Sequence, residues 1–162
     1  METDRVNRIL ENEVFREHLK KNNEAEKDRI FCRHDMVHFL DVARIGMIFN
    51  LRENLRIPED LLYAAALLHD IGKHEQYENG TPHEEASARI APLILEKCGY
   101  TEAEITQITE AVLQHRTGFV AGEPTLSGIL YRADKKSRAC FACEAKEACN
   151  WSDEKKNLTL WV

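Results

Sequence analysis

The sequence has no apolar run approaching the ~20 residues needed to cross a membrane. It has no convincing alternating strand pattern, and it has no basic excess. Lysine and arginine number 22 against 28 acidic residues, a formal net charge of -6 over 162 residues. That balance excludes a sequence-independent nucleic-acid binder, which needs a basic face. No apolar stretch follows the charged start Met1-Glu2-Thr3-Asp4-Arg5, so no signal peptide is expected and a cytoplasmic location is. Internal repeats, low-complexity tracts and linkers are missing too, and one domain over residues 1–162 is expected. In that setting the five cysteines read as thiols or metal ligands, not disulfides.

What is present is helical periodicity. Residues 61–73 (LLYAAALLHDIGK) are apolar nearly all round and read as a central, buried helix. Pro58, Glu59 and Asp60 suit its first turn and Gly72 its end. Yet it finishes with His69 beside Asp70, and a carboxylate leaves water at high cost unless it is paired or binds metal.

Residues 4–21 read as one surface helix with a buried stripe of Val6, Ile9, Leu10, Val14 and Leu19, and Lys20 to Arg29 as a loop or frayed end. Residues 30–49 form a helix with His38, Val42, Ile45 and Phe49 on one face. His74 to Pro82 reads as a loop. His83, Ser87, Ile90 and Ile94 share the next helical face, with Pro92 as a kink and Gly99 as a stop. Thr101 and Glu104 form a capping box ahead of Ile105, Ile108, Val112 and His115. Leu126, Leu130 and Asp134 are spaced by four on the last helix. The expectation is an all-α fold, an irregular bundle of about six helices.

His38, His69 with Asp70, His83, His115 and Asp134 thus lie on five core-facing helical faces. A lone histidine on such a face is usually a satisfied core residue. Six titratable groups together need each other or metal. Four histidines and two carboxylates suit two ions, with Asp70 between them. Iron, manganese, cobalt and zinc accept this nitrogen–oxygen set; calcium and magnesium favour oxygen alone.

The order His38, His69-Asp70, Asp134 resembles the HD-domain superfamily of metal-dependent phosphohydrolases, as do the segments His38-x-x-x-Val42-Ala43, Leu67 to Lys73 and Ala133-Asp134-Lys135. The resemblance spans roughly residues 30–138. His83-x-x-x-Ser87-Ala88 and the His115 segment resemble the extra histidines of two-metal members. His115-Arg116-Thr117-Gly118 is similar to a motif of the branch that hydrolyses symmetrical diadenosine tetraphosphate. The resemblance implies an HD-type fold with one metal on His38, His69, Asp70 and Asp134, and a second on Asp70, His83 and His115. His34 is placed behind the ligands.

The implied function is a metal-dependent phosphohydrolase. It would cleave a phosphoester or phosphoanhydride bond in a nucleotide or other small phosphorylated metabolite, through metal-activated hydroxide. Asp70 and Lys73 are the catalytic candidates. Lys73, Arg116, Lys135 and Arg138 are candidate phosphate contacts. The alternatives are an iron-dependent oxygenase on the same ligands and a non-catalytic metal- or nucleotide-binding regulator. No nucleic-acid or membrane partner is expected, and a homodimer is the default association.

Residues 139–162 form a cysteine-rich extension. Cys140-x-x-Cys143, followed by five residues and Cys149, is a compact thiol set, and Cys32 is a fourth candidate. Cys32 precedes His38 by six residues and Cys140 follows Asp134 by six. Ligands that meet in space would bring these thiols together, for structural zinc or an iron–sulfur cluster. Cys98 reads as a core residue, and Leu158 to Val162 as a short apolar end that docks.

Overall fold

Residues 2–160 are described by a computed structural model, with side chains from Asp4 onward. Among these residues there are eight α-helices and no strand: α1 Glu2–Glu11, α2 Glu13–Ala25, α3 Met36–Arg52, α4 Glu59–Leu68, α5 Lys73–Asn79, α6 His83–Leu95, α7 Glu102–Gln114 and α8 Leu126–Lys136.

The centre is α4, which touches α1, α3, α6, α7 and α8. From Leu61 to Leu68 every residue but Tyr63 is buried. At the start of α4, buried Asp60 pairs with Arg5 of α1, which also bonds Glu104 at 2.8 Å. The Arg5 guanidinium lies 4.4 Å over the Tyr100 ring, so one side chain joins α1, α4 and the turn before α7. The Thr101–Glu104 capping box is formed as expected.

The sequence expectation and the structure differ in several places. The single helix over residues 4–21 is two helices, because the Asn12 side chain accepts from Val14 N and Phe15 N and restarts the chain as an N-cap. The second runs on to Ala25, through residues whose polarity resembles a loop. Residues 30–35 are not helical; α3 begins at Met36, where the Asp35 side chain accepts from His38 N. His74 to Pro82 is not a loop throughout. Lys73 to Asn79 is helical, about two turns, with Lys73 and His74 buried, closed by Gly80.

Finally, α4 stops at Leu68 and Gly72 ends nothing. Gly72 begins α5, and its place follows from contact: a Cβ there would lie 2.7 Å from Ala86 Cβ and from Ser87 N. Its N–H donates to Ser87 Oγ at 2.9 Å. The turn carrying His69 and Asp70 therefore lies directly on α6. Pro92 is contained within continuous α6. Leu158 and Leu160 are exposed, contrary to the docked end expected of them, while Trp161 and Val162 lie outside the described residues.

Candidate metal centre

Helix ends, more than helix faces, build the site. His38 lies in the first turn of α3, His69 caps the C-terminus of α4, and Asp70 follows in the turn. His83 opens α6, His115 caps α7, and Asp134 lies in the last turns of α8. Two groups of ligand atoms result, each within 4.8 Å: His38, His69, Asp70 and Asp134, and Asp70, His83 and His115.

The two oxygens of Asp70 divide the histidines. Oδ2 is 3.2 Å from His38 Nε2 and 2.9 Å from His69 Nε2. Oδ1 is 3.2 Å from His83 Nε2 and 3.2 Å from His115 Nε2. Asp134 Oδ1 completes the first group, 3.2 Å from His38 Nε2 and 3.5 Å from His69 Nε2.

The opposite ring nitrogens fix the tautomers. His69 Nδ1 donates to Ala66 O and His115 Nδ1 to Val112 O, both at 2.6 Å. His83 Nδ1 donates to Gln76 Oε1 at 2.7 Å. His38 Nδ1 meets Ser137 Oγ at 3.3 Å, while that hydroxyl donates to Asp134 O at 2.7 Å. Each ring thereby presents its Nε2 to the interior of the site. Nε2 atoms of His38 and His69 face each other at 3.2 Å, and those of His83 and His115 at 3.3 Å. Nitrogens this close need a cation between them, a proton or a metal ion. Asp70 Oδ1, buried and without a hydrogen-bond partner, makes the same demand. The residues present fit two divalent transition metals.

Electrostatics agree. Burial alone would push the Asp70 carboxyl up, but His69 and its other imidazole neighbours hold it well below the ordinary range. Burial acts likewise on Asp134, and its bonds to His38 and His69 outweigh it. Against its own burial, His69 is raised to about 10 by Asp70 and Asp134. That proton must leave when metal arrives, so binding strengthens as pH rises.

A cavity of about 1300 Å³ opens onto the site, lined by Asp70, His83 and Asp134 and by all four expected phosphate contacts. Lys73 is buried, 3.4 Å from both Gln76 Oε1 and His83 Nδ1, and burial lowers its pKa. Lys135 lies 3.4 Å from Asp134 Oδ2. Arg116 is half exposed beside Glu84, and Arg138 donates to Arg33 O at 2.7 Å. Cys32, Cys140, Cys143 and Cys149 line the same cavity as free, partly buried thiols, whereas Cys98 is buried in the core.

Three supporting residues escaped the sequence reading. Fully buried Asn22 donates to Asp70 O at 2.9 Å and accepts from His74 N at 2.8 Å, holding both ends of the ligand turn. Gln76 and Glu26 are the others. Asn22 and Gln76 lay in segments read as loops; Gln76 follows Lys73 by three residues, a spacing that carries meaning only once α5 is recognised. Gln76→Leu is expected to weaken the metal on His83 and His115 by about 10- to 100-fold and to spare the other, read by competitive chelation and metal analysis.

His34, expected behind the ligands, lines the cavity, its ring 5.8 Å from that of His38 and 6.3 Å from that of His83. Its Nδ1 donates to Glu26 Oε2 at 2.6 Å and its backbone N–H to Oε1 at 2.7 Å; Tyr77 OH adds a bond of 2.6 Å to Oε2. Burial opposes ionisation of Glu26, but these bonds prevail and lower it to about 2 from 4.5. Burial lowers His34 to about 4 from 6.5. Both folded values lie below the ordinary ones, so the unfolded chain binds more protons as pH falls. The His34 contribution fades as pH falls from 6.5 to about 4, and that of Glu26 from 4.5 to about 2. Denaturant titrations at descending pH are expected to show this loss, with a shallower fall below pH 4.5 in Glu26→Gln.

The arrangement has relatives. The HD domain family matches residues 36–139. An uncharacterized protein of Clostridium beijerinckii is 46% identical over 158 residues, 98% of this chain and 99% of that one. A crystal structure at 1.45 Å of a predicted HD superfamily hydrolase from an uncultured Thermotogales bacterium matches with a TM-score of 0.62 and 26% identity, covering 88% of this chain and 81% of that one. With a histidine–aspartate set drawn from five helices, a match to the family over most of its length and a solved HD hydrolase of similar fold, the chain belongs to the HD-domain superfamily of metal-dependent phosphohydrolases.

Proposed function

We propose that this protein hydrolyses a phosphoester or phosphoanhydride bond in a nucleotide or other small phosphorylated metabolite, with two divalent transition metals at the site. The observation that carries this reading is the division of four inward-facing Nε2 atoms between the two oxygens of Asp70. His38, His69, Asp70 and Asp134 would hold one metal, and Asp70, His83 and His115 the other. Metals at these ligands supply an activated hydroxide and neutralise charge around phosphorus.

The chain's own residues do the rest. Asp70, held by Asn22 at its carbonyl and by the seat of Gly72 on α6, keeps both groups at fixed separation. Although the chain is acidic overall, ten lysines and arginines line the cavity, against Asp70, Asp134 and Glu154. Lys73, Arg116, Lys135 and Arg138 would take the phosphates, Lys73 innermost. Phe31, Tyr131 and Trp151 also line the cavity and offer apolar faces for a base. A chain-wide charge of -6 would repel a polyanion; the basic lining reverses that locally.

The test is phosphate release from a panel of phosphate esters and nucleotides, with manganese, iron, cobalt and zinc each restored to stripped protein. Symmetrical dinucleoside polyphosphates come first on it, because His115-Arg116-Thr117-Gly118 resembles the motif of enzymes that cleave them. Turnover of a nucleotide substrate, falling steeply with added salt, is the expected result. Tight nucleotide binding without turnover under every metal would overturn hydrolysis in favour of a regulator. Homodimerisation and a cytoplasmic location remain part of this proposal, read by sedimentation and by fractionation.

A further inference from the structure

The tail has order without a core. From residue 137 to 160 no side chain is buried, and the only helical segment among these residues is a single 3-10 turn, Cys140–Ala142. Polar bonds tie it to the end of α8 and to itself: Asn157 Nδ2 donates to Lys135 O at 2.8 Å and Arg138 O at 2.9 Å, and Lys156 Nζ to Lys146 O at 2.7 Å. A segment of this length without buried apolar surface needs a cross-link to hold a single conformation.

The thiols are placed to provide one. Cys140, Cys143 and Cys149 come from the tail, and Cys32 from the segment before α3; all four line one cavity, partly buried and free. Burial raises the Cys32 thiol pKa, and Cys140, Cys143 and Cys149 each push it the same way, so all three lie within electrostatic reach of it. Two polar bonds position the segment around Cys32: Arg138 donates to Arg33 O at 2.7 Å and Arg29 to Cys32 O at 2.8 Å.

Spacing distinguishes the possible occupants. A tetrahedral zinc, with Zn–S of about 2.3 Å, draws its four sulfurs to within about 4 Å of one another. Among the described residues, the groups with three or more ligand atoms within 4.8 Å are the two histidine–aspartate sets, and neither includes a sulfur. A cube of four irons and four sulfides is a larger body and keeps its thiolates farther apart than one zinc does. Four thiolates around such a cube carry net negative charge, and Arg29, Lys135, Arg138 and Lys146 line the same cavity to offset it.

We propose that Cys32, Cys140, Cys143 and Cys149 ligate a [4Fe–4S] cluster that fastens the tail, residues 139–160, to the segment preceding α3. The cluster forms one wall of the active-site cavity and fixes the tail lysines over its mouth. It is independent of the phosphohydrolase reading, since its ligands are separate from those of the histidine–aspartate centre.

The test is acid-labile sulfide, iron and zinc analysis with visible absorption of protein purified without oxygen, for the wild type, Asp70→Asn, Cys98→Ser and Cys143→Ser. About four sulfides per chain are expected in the first three and loss of sulfide and colour in Cys143→Ser. Asp70→Asn separates iron at the histidine–aspartate centre from iron in the cluster. One zinc per chain lost with Cys143, without sulfide, would overturn the cluster, as would wild-type protein free of sulfide. Sulfide unchanged in Cys143→Ser would overturn its ligation. The wild-type measurement decides even if Cys143→Ser fails to fold, which circular dichroism will show.

Discussion

Asp70→Asn is expected to abolish phosphate release, by about a thousandfold or more, and to strip both metals at once. No other ligand belongs to both groups. Replacing one oxygen by an amide removes an acceptor from one group, and the lost charge weakens the other. Whichever way the amide rotates, its N–H₂ faces two Nε2 atoms and competes with metal for their lone pairs. Metal analysis should therefore show two equivalents lost. Asp134→Asn, touching the first group alone, should lose one. Equal losses from the two variants would mean that Asp70 does not join the sites. The side chain is nearly isosteric, and the Asn22 bond goes to the backbone of residue 70. The fold should survive, with unchanged helical circular dichroism.

Gly128→Ala is expected to give the largest loss of stability for a single added methyl, about 3 kcal/mol, or roughly 10 °C in Tm. Gly128 lies in the first turn of α8, where its N–H donates to Thr125 Oγ1 at 3.2 Å. A Cβ there would fall 2.0 Å from Glu123 O and 2.9 Å from both Glu123 C and Val120 O. These are backbone atoms, so no rotamer change relieves the clash. The loop before α8 has to move away, taking the Thr125 cap with it. Thr125→Ala, losing the cap alone, should cost about 1 kcal/mol. Calorimetry of the two variants separates the clash from the cap. Because α8 also carries Asp134, Gly128→Ala should loosen metal binding as well.

The six candidate ligands, which the structure brings together, were legible in the sequence because a histidine or aspartate on an apolar face violates a rule that few residues break without reason. Their division into two sets was legible only through the family resemblance. Spacing said which residues faced inward, not which oxygen met which nitrogen. The residues that hold the ligands were mostly hidden. Asn22, Gln76 and Glu26 are polar residues in polar segments, and composition cannot tell one that faces the site from one that faces water. Gly72 was read as a stop, since glycine after an apolar helix usually is one. Its actual reason, the closeness of Ala86 and Ser87, belongs to residues more than ten positions away. Asn12, flanked by helix formers, restarted a helix that periodicity had run straight through.

The use of helix ends has an effect beyond placing ligands. Helices α4 and α7 end at the site with His69 and His115, and α8 ends just beyond Asp134; α3 and α6 begin there with His38 and His83. Three helices thus bring the negative ends of their macrodipoles to one point, and two bring their positive ends. Cations and a phosphoryl anion must share this small volume, and each finds fixed partial charge of the opposite sign already in position. Water would have to turn to supply the same field. Here the orientation is established when the chain folds, before any ion or substrate arrives.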